Sequence, residues 1–306
     1  MTRYILTRIL AFIPVLLAVI TITFFLVRVA PGGPFDSERA VTETTKKMLE
    51  EAYNLDAPLY VQYWDYLSGV VQGDLGPSFR KPSRTVREWI ELRIPVSLEL
   101  GAYAIVVALF LGLGAGILAA TKPNSLRDYA PMSLAMVGIC VPNFVLGPLL
   151  VLVFSLWLGW LPVSGWQDPV DKILPSLTLG AMYSAYIARL TRGGMLEVLS
   201  QDFIRTARAK GLSEGAIVVK HALRGGVQPV VAYLGPAAAG MLTGSFVVET
   251  IFQIPGLGRE FVESAFNRDY TMIIGTVLVY ASLVMVLNLV ADIVHAWLDP
   301  RVRRRA

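Results

Sequence analysis

The chain carries two histidines, His221 and His295, and one cysteine, Cys140. Metal-dependent hydrolysis from a helix needs a His-Glu-x-x-His spacing, and a serine nucleophile of the hydrolase type needs a Gly-x-Ser-x-Gly elbow. Neither spacing occurs, and there is no Gly-x₄-Gly-Lys-Ser/Thr loop to cradle ATP phosphates. Cys140 has no second thiol to pair with and reads as a small apolar packing residue. We therefore expect no catalytic residue, no metal ligand and no cofactor bound by this chain. The residues left to do chemistry are polar groups stranded in apolar stretches, namely Glu99, Asn143, Glu249, Asn288 and Asp292, together with one basic run from Asp202 to Leu212. Polar side chains at membrane depth are costly and by default mark a transport path.

Those residues sit in a chain of 306 residues that is 55% hydrophobic and only 16% charged. With a mean hydropathy of +0.57 it has more apolar surface than one soluble core absorbs. In lipid every backbone polar group must be bonded internally, so the spans are helices or strands of a closed barrel. The apolar runs are too long and too uniform for barrel strands, which alternate over about 10 residues. Six helical spans are expected, over residues 9–27, 97–120, 130–158, 173–188, 227–252 and 271–298, the third kinked at Pro142 and Pro148. The fold class is all-α and integral to the membrane. The first span is expected to be retained, since its apolar core exceeds that of a signal peptide and Arg28 and Pro31 stand where a cleavage site belongs.

Lys and Arg orient the spans. With both termini in the cytoplasm, fifteen basic residues fall in inner segments: Arg3, Arg8, Lys122, Arg127, Arg189, Arg192, Arg205, Arg208, Lys210, Lys220, Arg224, Arg301, Arg303, Arg304 and Arg305. The short outer loops hold only Lys172, Arg259 and Arg268. The outer segment 29–95 is long enough to escape the rule, and its ten acids offset its eight bases. The pI near 9.2 thus follows from topology, and no nucleic-acid partner is expected.

Two soluble pieces have internal order. In the outer segment, Met48, Leu49, Ala52 and Tyr53 fall at helical spacing before Pro58, Tyr60, Trp64, Leu67 and Val71 mark one face of a second helix, and residues 73–77 form a turn. The inner loop 189–226 reads as two short helices hinged at Gly211-Leu212-Ser213. Ser200 is its expected N-cap, Phe203 and Ala207 share a face, and Gly211 supplies the left-handed residue of a Schellman ending with Leu212 at C″. Such a basic, amphipathic knob suits a groove in another protein or the anionic inner leaflet, and its physics alone leaves both open.

The run Asp202-Phe-Ile-Arg-Thr-Ala-Arg-Ala-Lys-Gly211-Leu212, followed by Lys220-His-Ala-Leu-Arg224, resembles the EAA loop of binding-protein-dependent ABC importer permeases. Arg205-Thr206-Ala207 stands for Glu-Ala-Ala, Gly211 for its glycine, and His221-Ala222-Leu223-Arg224 for Ile-x-Leu-Pro. The missing Glu, Ile and Pro are departures shared with the oligopeptide and dipeptide branch. Further resemblance to that branch, closest to its B-type oligopeptide permeases, lies in residues 30–35, 73–79, 243–245, 249–252, 254–258, 267–270 and 299–301.

The resemblance implies a type I importer permease fold in the bacterial cytoplasmic membrane. It divides the chain into 1–95, the first span with the outer segment, and 96–306, the permease core. The partners it implies are a homologous second permease, two ATP-binding subunits holding ATP and Mg, an external peptide-binding protein and membrane lipid. Phe203, Arg205, Thr206, Ala207, Arg208 and Gly211 would form the ATPase-coupling helix. Asn143, Glu249 and Asn288 would line the oligopeptide path, while the small-residue pattern Gly235, Ala239, Gly240 and Gly244 is expected to pack against the second permease, with contact inside the subunit as the alternative. Dipeptide, nickel or glutathione is an alternative cargo. An ion-coupled secondary transporter is the rival class, but no inverted repeat is visible and the acids lie near span ends.

Overall fold

The computed structural model describes residues 2–30, 32–35, 43–243 and 245–298. Gly244 and the basic tail 301–305 lie outside them, as does the side chain of His295. Among the described residues the chain is helical, with one isolated antiparallel bridge between Pro77 and Thr85. It forms two compact units, one of Met1–Val96 with Pro255–Val286, the other of Ser97–Ile254 with Leu287–Ala306.

The first unit opens with α1, Thr2–Val29, followed by α2, Glu43–Ala52, and α3, Leu59–Val71. The helix α4, Val86–Thr121, starts in this unit and passes into the second at Val96. The expected turn stops α3 in a Schellman ending, with Gly73 at φ 79° and its N–H bonded to Val70 O at 3.0 Å. Downstream, the Asp269 carboxylate accepts hydrogen bonds from the Ser78 hydroxyl and from the Phe79 and Arg80 amides at 3.1 and 3.3 Å. Phe79 meets Phe35, Tyr53 and Tyr270 edge to face or tilted. The sequence motifs at 73–79 and 267–270 therefore hold each other.

The second unit continues with α5, Leu126–Cys140, and α6, Asn143–Leu150, which widens into a π-helical stretch, Val151–Trp157. A 3₁₀ turn, Pro169–Lys172, leads into α7, Ile173–Leu199. Then come α8, Asp202–Ala209, α9, Glu214–Ala216, a π-helical segment Ile217–Ala222, α10, Leu223–Gly226, α11, Gln228–Leu242, and α12, Phe246–Ile251. Two further helices close the chain, α13, Leu257–Asn267, in the first unit, and α14, Tyr270–Leu298, which ends in the second.

Among the described residues, four helices are long and apolar enough to cross a membrane, within 6–29, 86–121, 228–251 and 270–293. A fifth results if α5 and the stretch 143–157 count as one, for they are bent by 115°. The expected third span is thus broken rather than gently kinked. Pro142 is the cause, since its ring drives Val141 out of the helical region to φ −100°, ψ 115° and it has no N–H to continue α5. Pro148 sits inside α6 without ending it.

The expected fourth span coincides with the start of α7, which is not among these helices because it bears Arg189 and Arg192 among several Ser, Thr and Tyr residues. Twelve of its residues are buried, so neighbouring helices surround it and lipid does not dictate its composition.

Glycines let these helices touch. A Cβ on Gly138 of α5 would lie 2.4 Å from Ala181 O of α7, and one on Gly116 of α4 would lie 2.5 Å from Thr191. On α11, Gly240 faces the Tyr183 hydroxyl of this same chain, where a Cβ would come within 2.5 Å, and Ala239 is buried. That small-residue face is therefore used at least partly inside the subunit. Replacing Gly138 by Leu is expected to lower the thermal unfolding midpoint in detergent, by a cost of about 1–3 kcal/mol for overpacking. Gly114→Leu, at a position open to beyond 4 Å, should leave the midpoint near wild type.

Candidate functional site

Eight residues are too few for a helix to persist in water by itself, so α8 needs tertiary support. It comes from Ile204 and Ala207, which are buried in a cluster with Ala120, Met195, Ile217, Val218 and Ala222. The expected pairing of Phe203 with Ala207 on one face is corrected to Ile204 with Ala207, because Phe203 is 50% exposed. Ala207 is 6% exposed, and its small size serves packing within this chain. Phe203, Arg205, Thr206, Arg208 and Gly211 all face solvent.

The expected loop is also shorter than it reads. The helix α7 carries on past Arg189 and Arg192 to Leu199, and Ser200 ends it, its hydroxyl donating to Glu197 O at 2.7 Å. The N-cap of α8 is instead Gln201, whose extended backbone presents its carbonyl to Ile204 N–H at 3.1 Å. At the other end Gly211 N–H bonds Arg208 O at 2.9 Å and Leu212 N–H bonds Ala207 O at 3.3 Å, the two bonds of a Schellman ending. Gly211 adopts φ +79°, the conformation glycine takes most readily. Ser213 then caps α9, accepting from Ala216 N–H at 3.4 Å.

One ion pair spans this hinge. Arg208 Nε and Nη2 donate to the two carboxylate oxygens of Glu214 at 2.8 and 3.2 Å. The hydrogen bond with Glu214 raises the pKa of Arg208, and the same bond holds the Glu214 carboxyl below its usual range. Arg205 pairs with Asp202 at 3.2 Å on the exposed face.

The module is set on α7 by backbone contact. A Cβ on Gly194 would lie 2.3 Å from Gly226 O, and one on Gly226 would lie 2.4 Å from Met195 Sδ. Two residues before Gly194, Arg192 grips the buried Asp128 of α5 with bonds of 2.6 and 2.7 Å, and the Asn124 amide donates to the same carboxylate at 2.9 Å. Neither anchor was anticipated from sequence, although the Gly-Gly pairs at 193–194 and 225–226 were visible signals for close approach.

The expected path residues are not joined to one another by any hydrogen bond among the described residues. Asn143 is half-buried and opens α6 at the 115° bend. Glu249 on α12 is fully buried and accepts a hydrogen bond from the Ser97 hydroxyl at 2.8 Å. Asn288 is exposed on α14. Glu99 is held by Lys172 and by the Trp166 indole N–H at 3.0 Å. Among the described residues no three His, Cys, Asp or Glu converge as a metal site would require.

Residues 112–304 match the family described as binding-protein-dependent transport system inner membrane component. The chain belongs to that family. Residues 1–100 match the N-terminal component of the same transport systems. The chain is 46% identical over 303 residues to the dipeptide transport system permease protein DppB of Bacillus subtilis, covering 99% of this chain and 98% of that protein. It is 46% identical over 305 residues to the oligopeptide transport system permease protein OppB of Haemophilus influenzae, covering 99% of this chain and all of that one. The Escherichia coli OppB is 44% identical over the same length, with the same coverage. Among solved structures, an amino acid ABC transporter crystallised with histidines aligns with a TM-score of 0.52 at 18% identity, covering 67% of this chain and 92% of that one, a likeness of fold. The protein is an ABC importer permease of the inner membrane, with the type I fold.

Because Arg208 depresses the Glu214 pKa, the clamp contributes fully above the ordinary carboxyl value of 4.5 and fades as pH falls through the lowered folded value. Glu214→Gln is expected to speed amide exchange at Gly211 and Leu212 roughly two- to threefold at neutral pH, as suits an exposed pair. The difference from wild type should vanish below the folded pKa of Glu214.

Proposed function

We propose that this permease takes up oligopeptides handed to it by an external binding protein, forms half of the translocation path with a homologous second permease, and is driven by two cytoplasmic ATPase subunits. The names of its relatives support the cargo, since oligopeptide and dipeptide permeases match it end to end at 44 to 46% identity. The dipeptide permease matches as well as the oligopeptide ones, which makes dipeptides the second reading.

In this reading six spans cross the membrane, with both termini in the cytoplasm. Four are the apolar helices, the fifth is the bent pair of α5 and α6, and α7 is the sixth, shielded from lipid by its neighbours. Residues 1–95 form the first span and outer segment and 96–306 the permease core. The exposed residues Phe203, Arg205, Thr206, Arg208 and Gly211 meet the ATPase, while Ala207 acts from behind by seating the helix. ATP and Mg belong to the ATPase subunits, and this chain hydrolyses nothing itself. Asn143, Glu249 and Asn288 belong to the path.

The observation that carries the coupling role is the mounting of α8. A one-sided helix exposes Phe203 and its basic neighbours, yet is packed and hydrogen-bonded rigidly to the end of α7, so a push on its outer face moves the span. Affinity purification of the tagged chain in mild detergent should recover two ATPase subunits and a second permease. Recovery of the chain alone would remove the ABC assembly proposed here. Competition of labelled tetrapeptide uptake by unlabelled tetrapeptide but not by dipeptide would favour the first cargo over the second.

A further inference from the structure

By spacing, Tyr60, Trp64, Leu67 and Val71 mark one face of the second helix of the outer segment. The structure divides that stripe. The face of α3 that packs on the protein is Gln62, Tyr63, Tyr66, Leu67 and Val70. Tyr60 and Trp64 are 68% and 63% exposed, and Val71 is more so.

The neighbour on which α3 packs is α1, and the level of contact can be read from it. Arg28 Nε donates to Gln62 Oε1 at 3.2 Å. The Tyr63 hydroxyl bonds the Thr21 hydroxyl at 2.8 Å, and its ring stacks on Phe25 with centroids 5.8 Å apart. Arg8 and Arg28 bound the uncharged run of α1, whose length matches a hydrocarbon core about 30 Å thick. At 1.5 Å rise per residue Thr21 lies about 10 Å below Arg28 along that helix. Bonded to Arg28 and Thr21 through Gln62 and Tyr63, with Tyr66 also against Phe24 at 6.3 Å and Leu67 and Val70 in one cluster with Leu16 and Ile20, α3 lies beside the outer part of the span instead of above it.

On the α3 helical wheel, Tyr60, Trp64 and Val71 share one edge of the packed face, and Ser68 and Asp65 follow beyond them, both exposed. The apolar edge is continuous in character with the exposed Ile22, Phe25 and Leu26 of α1. Tyr and Trp are the side chains that favour the level of lipid headgroups, with an apolar ring and a polar tip.

We propose that the Tyr60, Trp64 and Val71 edge of α3 is seated in the outer-leaflet interface of the bilayer, with lipid as its occupant and Asp65 and Ser68 turned to water. The outer segment is then fixed to the membrane surface at a set depth and is not carried as a free extramembranous cap. This anchoring depends on the inner-membrane assignment and is independent of cargo.

The test uses the full chain in lipid nanodiscs with Cys140→Ser as background and a nitroxide placed by Trp64→Cys, Val71→Cys, Ser68→Cys or Ile22→Cys. Power-saturation spectroscopy compares access of oxygen, which partitions into lipid, with that of a water-soluble nickel chelate. The expected ratio of oxygen to nickel access at 64 and 71 approaches that at 22 and exceeds that at 68 several-fold. Val71 keeps the result readable where loss of Trp64 weakens the seat. Nickel access at 64 and 71 equal to that at 68 would overturn the proposal. So would labels open to nickel that become shielded only when the external binding protein is added, an outcome assigning this edge to protein docking.

Discussion

Everything proposed for the inner face depends on one packing contact, the burial of Ile204 and Ala207 against Met195, Ile217, Val218 and Ala222. An eight-residue helix left in water melts, and a melted segment transmits no force. Burial converts α8 into a protrusion of α7. The Schellman ending at Gly211 and the Ser213 cap then fold the chain back so that the π-helical segment brings Ile217, Val218 and Ala222 to the cluster. The exposed Phe203 and the basic residues are free to face a partner because the apolar work is done by the other side.

The same logic recurs where α7 meets its neighbours. Contacts through Gly138, Gly116 and Gly194 bring backbones together with no long, flexible side chain between them. Such contacts are stiff, and they fail sharply when a methylene is added. The Asp128–Arg192 pair adds a directional tie between α5 and α7, with both carboxylate oxygens satisfied. A helix so held moves as a body with what it touches, which is the mechanical property the proposed coupling needs.

Much of this was legible in the residues. Gly211 and Leu212 announce the helix ending because only a left-handed residue followed by an apolar one completes it, and the hydrogen bonds fall where that spacing requires. Long apolar runs located α1 and α14, since lipid imposes composition on whatever faces it. The failures share one cause, that burial within the chain leaves a weaker mark than exposure to lipid. Protein surrounds α7, so its arginines disguised the helix beyond 188, on to Leu199, as loop. In α3, spacing puts Tyr60, Trp64, Leu67 and Val71 on one face, yet of these Leu67 packs, while Tyr63 and Tyr66 beside it carry the rest of the contact. Glu249 stands near a span end in the sequence, and its full burial against Ser97 was not legible there because that partner lies 152 residues away.

The central claim is that the outer face of α8 is the surface on which ATP-driven motion acts. Its most direct measurement is the reactivity of Phe203→Cys, in a Cys140→Ser background, toward a small maleimide with and without bound ATPase subunits. The account predicts rapid labelling of the permease alone and strong protection in the assembled complex, with Ser68→Cys on the outer face unaffected. Equal labelling at position 203 in both states, with the ATPase demonstrably bound, would contradict it.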